Sequence, residues 1–137
     1  MGTTMRRIDL YFLLLATISL LVGVSIGIWM GIAHEFQFAP AHAHLNLVGW
    51  VSLALFGLAY RTYPELGDSR IAGVHFVFAC VGAIVFPVGI ALAIAGVTVA
   101  VATGGALIWM VAVVLFLVNL ARITFARAES PAFMPAE

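Results

Sequence analysis

Lysine is absent from this chain and charge of either sign is scarce: six arginines face six acids, and charged residues are 9% of the 137. A soluble surface carries roughly a quarter to a third charged residues, so a water-facing globule is excluded. Net charge is zero, and no basic stripe exists to neutralise a phosphate backbone, which excludes a nucleic-acid partner. One cysteine, Cys80, cannot form an intrachain disulfide. Alone in an apolar run, it reads as a small buried hydrophobe. Apolar surface is what the chain has in excess, with 64% hydrophobic residues and a mean hydropathy of +1.17. The expectation is an all-α integral membrane four-helix bundle, one domain over residues 1–137, with the lipid bilayer as its solvent.

A membrane helix needs roughly 20 mostly apolar residues. Four runs meet that length: Ile8–Ala33, Ala41–Tyr60, Ile71–Val97 and Gly104–Ile123. The first follows Arg6 and Arg7 as a signal peptide would, but its apolar stretch exceeds the roughly 7–15 residues of a signal core, so it reads as a retained span. Arginine placement gives the orientation. Arg6 and Arg7 precede span one, Arg61 and Arg70 separate spans two and three, and Arg122 and Arg127 end span four. The loops His34–Pro40 and Thr98–Thr103 contain no arginine. Both termini are therefore expected in the cytoplasm of a bacterial-type inner membrane, with the 34–40 loop on the periplasmic side. The tail after Arg127, with Pro131 and Pro135, reads as loose.

Small and aromatic residues add detail. Gly23, Gly27 and Gly31 repeat along one face of span one, and Gly82, Gly89 and Gly96 along span three. Both rows permit close helix approach; a smooth wall against a flat cofactor is the alternative. Pro87 is expected to kink span three. Trp29 and Trp109 are expected near the periplasmic ends of spans one and four.

Three of the four histidines, His34, His42 and His44, fall within eleven residues, with Glu35 beside the first. An imidazole at a bilayer edge costs free energy unless something binds it, so the cluster points to a metal, a heme or a proton role. Pro40 suits the first turn of span two, which sets His42 and His44 in its first two turns. Two positions apart on a helix is about 200° around the axis. The two rings face opposite ways and cannot chelate one ion together. Asn46, four residues after His42, can orient that ring or bond a neighbouring helix. His75 begins span three at the cytoplasmic side, roughly 20 Å from His44 in depth, and reads as structural or interfacial.

The stretch Ala41-His-Ala-His-Leu-Asn-Leu-Val-Gly-Trp50, continuing to Phe56-Gly57 and Tyr60, resembles the tenth helix of subunit I in the heme-copper oxidases, and among them the C-type oxidases and nitric-oxide reductases. His34 and Glu35 are similar to a metal-holding pair that precedes this helix in some members. Val74-His75-Phe76 with Gly82 resembles the next helix, and Gly104-Gly105 with Asn119-Leu120 the last. The resemblance implies that His42 is the proximal ligand of a high-spin heme and His44 an axial ligand of a low-spin heme. The family's copper-ligand histidines and its second low-spin ligand lie on earlier helices, and the arginines that anchor heme propionates have no counterpart in Thr98–Thr103. Oxygen reduction by this chain alone is not expected.

The expected function is that of a heme b-binding membrane protein, acting in electron transfer or in binding O2 or NO, with an unidentified redox partner. Low-spin iron needs two axial ligands. One copy offers His44, so the second must come from His34, from another copy in a homo-oligomer (trimer or dimer), or from another subunit. The alternatives are a periplasm-facing copper or zinc binder using His34, Glu35 and His42, and a structural module of a respiratory complex.

Overall fold

A computed structural model describes residues 7–128, and these are helical almost throughout. Four helical runs are long and apolar enough to cross a membrane: Ile8–Ala33, Phe36–Thr62, Arg70–Ile94 and Ala100–Ala126. Arg6 and the proline-containing tail lie outside the described residues.

Helix α1 covers Ile8–Ala33 without a break. It ends because His34 adopts the left-handed conformation (φ 55°, ψ 29°), from which its N–H returns to the Met30 carbonyl. Glycine usually takes that position, and histidine is among the few other residues that tolerate it. Span two then begins with α2, Ala39–His44, with Pro40 in its first turn as expected.

The run does not stay α-helical. Leu45–Ser52 is a π-helix, and regular geometry resumes only in α3, Leu53–Thr62. Side chains occupy carbonyls at both ends of the wide segment. The Asn46 amide donates to the His42 carbonyl at 2.9 Å, and the Ser52 hydroxyl donates to the Leu47 carbonyl, five residues back, at 2.8 Å. Side chains inserted into the backbone ladder favour such wide turns, which recur at functional sites. Nothing in the apolar pattern distinguishes this segment from ordinary α-helix.

Span three is α4, Arg70–Ile94, with Pro87 inside it. It stops three residues short of the expected Val97, because Gly96 takes a positive φ of 75° and closes the helix end. Span four is α5, Ala100–Ala128. It starts four residues before the expected Gly104, with the Thr98 hydroxyl accepting from the Ala100 N–H at 3.1 Å.

Spans one and two pair as one hairpin and α4 with α5 as the other. In lipid, helix association depends on close packing rather than on hydrophobic burial, and glycines permit it here. A Cβ on Gly89 would strike the backbone of Ala102, and one on Gly105 the backbone of Phe86. Gly82 faces the Trp109 backbone. The row in span three therefore divides: Gly82 and Gly89 pack against α5, while Gly96 is a helix cap. The early start of α5 also corrects the position of Trp109. It lies inside the bundle beside Gly82, its ring 6.0 Å from that of Phe56, rather than at a helix end.

Candidate functional site

The end of the bundle that carries the 34–40 loop holds the predicted cluster, and the two histidines of α2 do face apart. His44 turns toward α4, its ring edge-on to Phe86 at 4.9 Å between centroids. Its Nδ1 is 2.8 Å from the Pro40 carbonyl. A carbonyl only accepts, so this bond puts the ring hydrogen on Nδ1 and leaves Nε2 with a free lone pair. Metal-binding imidazoles are commonly fixed in this way.

His42 turns toward α1. A Cβ on Gly27 would lie 3.1 Å from its Cε1, so the absence of a side chain there is what admits the ring edge. Asn46 fills the next gap, with Gly23 opposite its amide. The upper glycine row of span one thus serves helix packing at Gly23 and Gly27, whereas nothing comes within 4 Å of a Cβ on Gly31. The Asn46 amide nitrogen stands 3.4 Å from both ring nitrogens of His42, longer than its 2.9 Å bond to the His42 carbonyl. Asn46 therefore touches the ring and the neighbouring helix, but its firmest bond is to backbone.

His34 and Glu35 are exposed. Glu35 accepts from Gln37 at 3.2 Å, and the His34 ring lies 6.4 Å from Phe36. Among the described residues no group of three or more His, Cys, Asp or Glu side chains is placed to hold a metal ion. His34, Glu35 and His42 are near in sequence without being assembled in space.

Beside His42, between α1, span two and α4, lies a cleft of about 520 Å³ whose lining includes Trp29, Phe38, Leu45, Leu53 and Pro87. Cys80 is part of that wall and only half-buried, so it is less enclosed than its sequence context suggested. No charged side chain lines the cleft.

The other end of the bundle holds a polar cluster that the sequence did not reveal. His75 is fully buried rather than interfacial. Its ring lies among those of Phe12, Phe56 and Phe116, at 5.3, 4.7 and 5.4 Å. The Tyr60 hydroxyl is 3.0 Å from its Nδ1. Asn119, also fully buried, donates to the Tyr60 oxygen at 3.4 Å and to the Leu66 carbonyl at 2.9 Å. Ser69 and Arg122 donate to its other end, at 2.9 and 3.2 Å. With its oxygen accepting from Asn119, Tyr60 directs its own hydrogen to Nδ1. The His75 hydrogen then sits on Nε2, which has no partner. This chain of bonds ties spans two, three and four together. Asp9 and Arg61, 3.2 Å apart, tie α1 to the same end. Polar residues in apolar spans were the available signal, but nothing in their spacing shows that Tyr60, His75 and Asn119 meet.

No protein-family model, no curated protein and no solved structure matches the chain.

Proposed function

We propose that the chain is an integral membrane protein that binds heme b through Nε2 of His44 and carries electrons or binds a small gas. The observation that carries this reading is the 2.8 Å bond from Nδ1 of His44 to Pro40, which leaves the other nitrogen free in a fixed ring. The residues fit a one-sided ligand. His44 is half-buried beside Phe86, an aromatic neighbour suited to a porphyrin edge. His42 fits less well, because its Cε1 edge is committed to Gly27. The likeness of the His-x-His stretch to oxidase subunit I supports the same assignment.

Bound there, the iron would supply one-electron redox chemistry or a gas-binding position. His44 would hold and orient it, and the apolar surroundings would keep water away. A low-spin center needs a second axial ligand. We assign it to a second copy of the chain, since His34 is exposed on a loop and His42 faces the opposite way. Span two exposes Leu47, Leu55 and Leu58 toward whatever covers it, which suits a neighbour in a homo-oligomer as well as lipid. Arginine placement favours both termini in the cytoplasm of a bacterial-type inner membrane and the histidine end in the periplasm.

The test is a reduced-minus-oxidised spectrum of the purified protein. A sharp heme α-band, lost in His44→Ala and kept in His75→Ala, is expected. Bound copper or zinc without heme, or neither, would overturn the reading. Equal loss in both variants would assign the effect to folding.

A further inference from the structure

We infer that the outer face of the hairpin formed by α1 and span two binds a second copy of this chain, the Trp50 indole of each donating to the Thr17 hydroxyl of the other. Trp50 is exposed close to the middle of the Phe36–Thr62 run. Indoles in membrane proteins gather at the two interfaces, where their N–H finds water or headgroups. At mid-span the hydrocarbon offers no acceptor, and among the described residues none accepts from Trp50. An indole nitrogen only donates, so its partner has to come from outside the chain and from something other than lipid tails.

Helix periodicity shows which way this face looks. Gly23 packs against Asn46 and Gly27 against His42, which fixes the line along which the two helices meet. One residue earlier on each helix, about 100° around the axis, Val22, Ile26, Ala41 and Leu45 line the cleft beside α4. One residue later, Val24, Ile28, Ala43 and Leu47 are exposed on the opposite side of the hairpin, away from α4. Thr17 lies two turns along α1 from Val24 and is exposed with it. Trp50 follows Gly49, which packs against Ser19. Both therefore belong to the outer face.

The contact between Gly49 and Ser19 also fixes depth. Trp50 is one residue beyond Gly49 toward the cytoplasmic end of span two, and Thr17 two residues beyond Ser19 toward the same end of α1, so they lie within about 2 Å of one level. The Thr17 hydroxyl spends its hydrogen on the Leu13 carbonyl at 2.8 Å, which leaves its oxygen able to accept. An unmet donor and an open acceptor thus share one face and one depth. Every copy inserts in the same direction, so a two-fold axis along the membrane normal keeps that depth and brings each Trp50 to the other copy's Thr17. A foreign helix would need an acceptor at this level by coincidence, whereas a second copy carries it there by construction. His44 faces α4 instead, so this contact forms without heme and stands apart from the shared ligand proposed above.

The test is energy transfer between donor- and acceptor-labelled full chains in phosphatidylcholine vesicles at increasing lipid dilution. A dimer is expected, weakened about ten-fold by Trp50→Phe and by Thr17→Val, since either change removes two interhelical hydrogen bonds. The double variant should be no weaker than the single ones, because both remove the same bonds. Leu117→Ala on the exposed face of α5 and His44→Ala should leave the dimer unchanged. In a Cys80→Ala background, differently tagged Val24→Cys and Leu47→Cys chains should cross-link to one another, which reports the face independently of the bond. Energy transfer no greater than random mixing would leave the face to lipid or to another protein and overturn the inference. Additive losses in the double variant would also overturn it. Dissociation by His44→Ala alone would show that heme holds the copies together, refuting this contact while supporting the shared ligand.

Discussion

The Tyr60 hydroxyl lies 3.0 Å from Nδ1 of a His75 ring that has no exposure to solvent or lipid. Removing that hydroxyl leaves a buried nitrogen without a partner. Tyr60→Phe should therefore destabilise the protein by about 1–3 kcal/mol, read as a lower melting temperature in detergent. Adding His75→Phe removes the orphaned nitrogen, so the double variant should lose less than the two single losses added together. Strict additivity would show that the bond contributes nothing.

Glycines that look alike in sequence should behave differently. Gly89→Ala puts a methyl group into the backbone of Ala102 and should cost about 1–3 kcal/mol through forced separation of α4 and α5. Gly104→Ala meets nothing within 4 Å and should be neutral or slightly stabilising, since alanine favours helix. Thermal melts of the two variants side by side provide the check.

His34 ends α1 with a positive φ of 55°, a conformation that suits glycine better. His34→Gly should raise stability by up to about 1 kcal/mol and leave the heme spectrum unchanged if a second copy supplies the other ligand. Loss of the low-spin spectrum in this variant would move that ligand to His34.

The same reasoning sets the stoichiometry. Native mass spectrometry in mild detergent should find two or more copies with bound heme. A monomer that retains a full bis-histidine spectrum would refute the shared ligand.

Orientation is open to chemical labelling in a Cys80→Ala background. A cysteine at Gln37, exposed in the 34–40 loop, should react with an impermeant reagent in intact cells, and one at Asp68 should not. Asp68 is preferable to Ser69, whose hydroxyl bonds Asn119. Reversed reactivity would invert the topology.

Four long apolar runs, interrupted by short polar segments, are enough to dictate four helices, because in lipid each backbone polar group must be satisfied within its own helix. The opposed faces of His42 and His44 were also legible, since the period of the helix settles them without any tertiary contact. Which glycines pack and which cap was not legible, because Gly82, Gly89 and Gly96 share one spacing and differ only in what lies opposite them. The π-helix after His44 was hidden for a related reason. It depends on the Asn46 and Ser52 side chains taking backbone carbonyls, which hydropathy does not register.

The sequence by itself determined the helices, their number and the two directions in which the histidines of α2 point, all of which follow from local periodicity and from the solvent the chain requires. Only the tertiary structure decided that His75 joins Tyr60 and Asn119, that His34, Glu35 and His42 do not come together as a metal-holding group, and that Ala83 and Pro87 share a cleft wall with His42. Each of these depends on the register between helices. That register is set by side chains meeting glycines on a neighbour, and such meetings leave no trace in the order of residues along one chain.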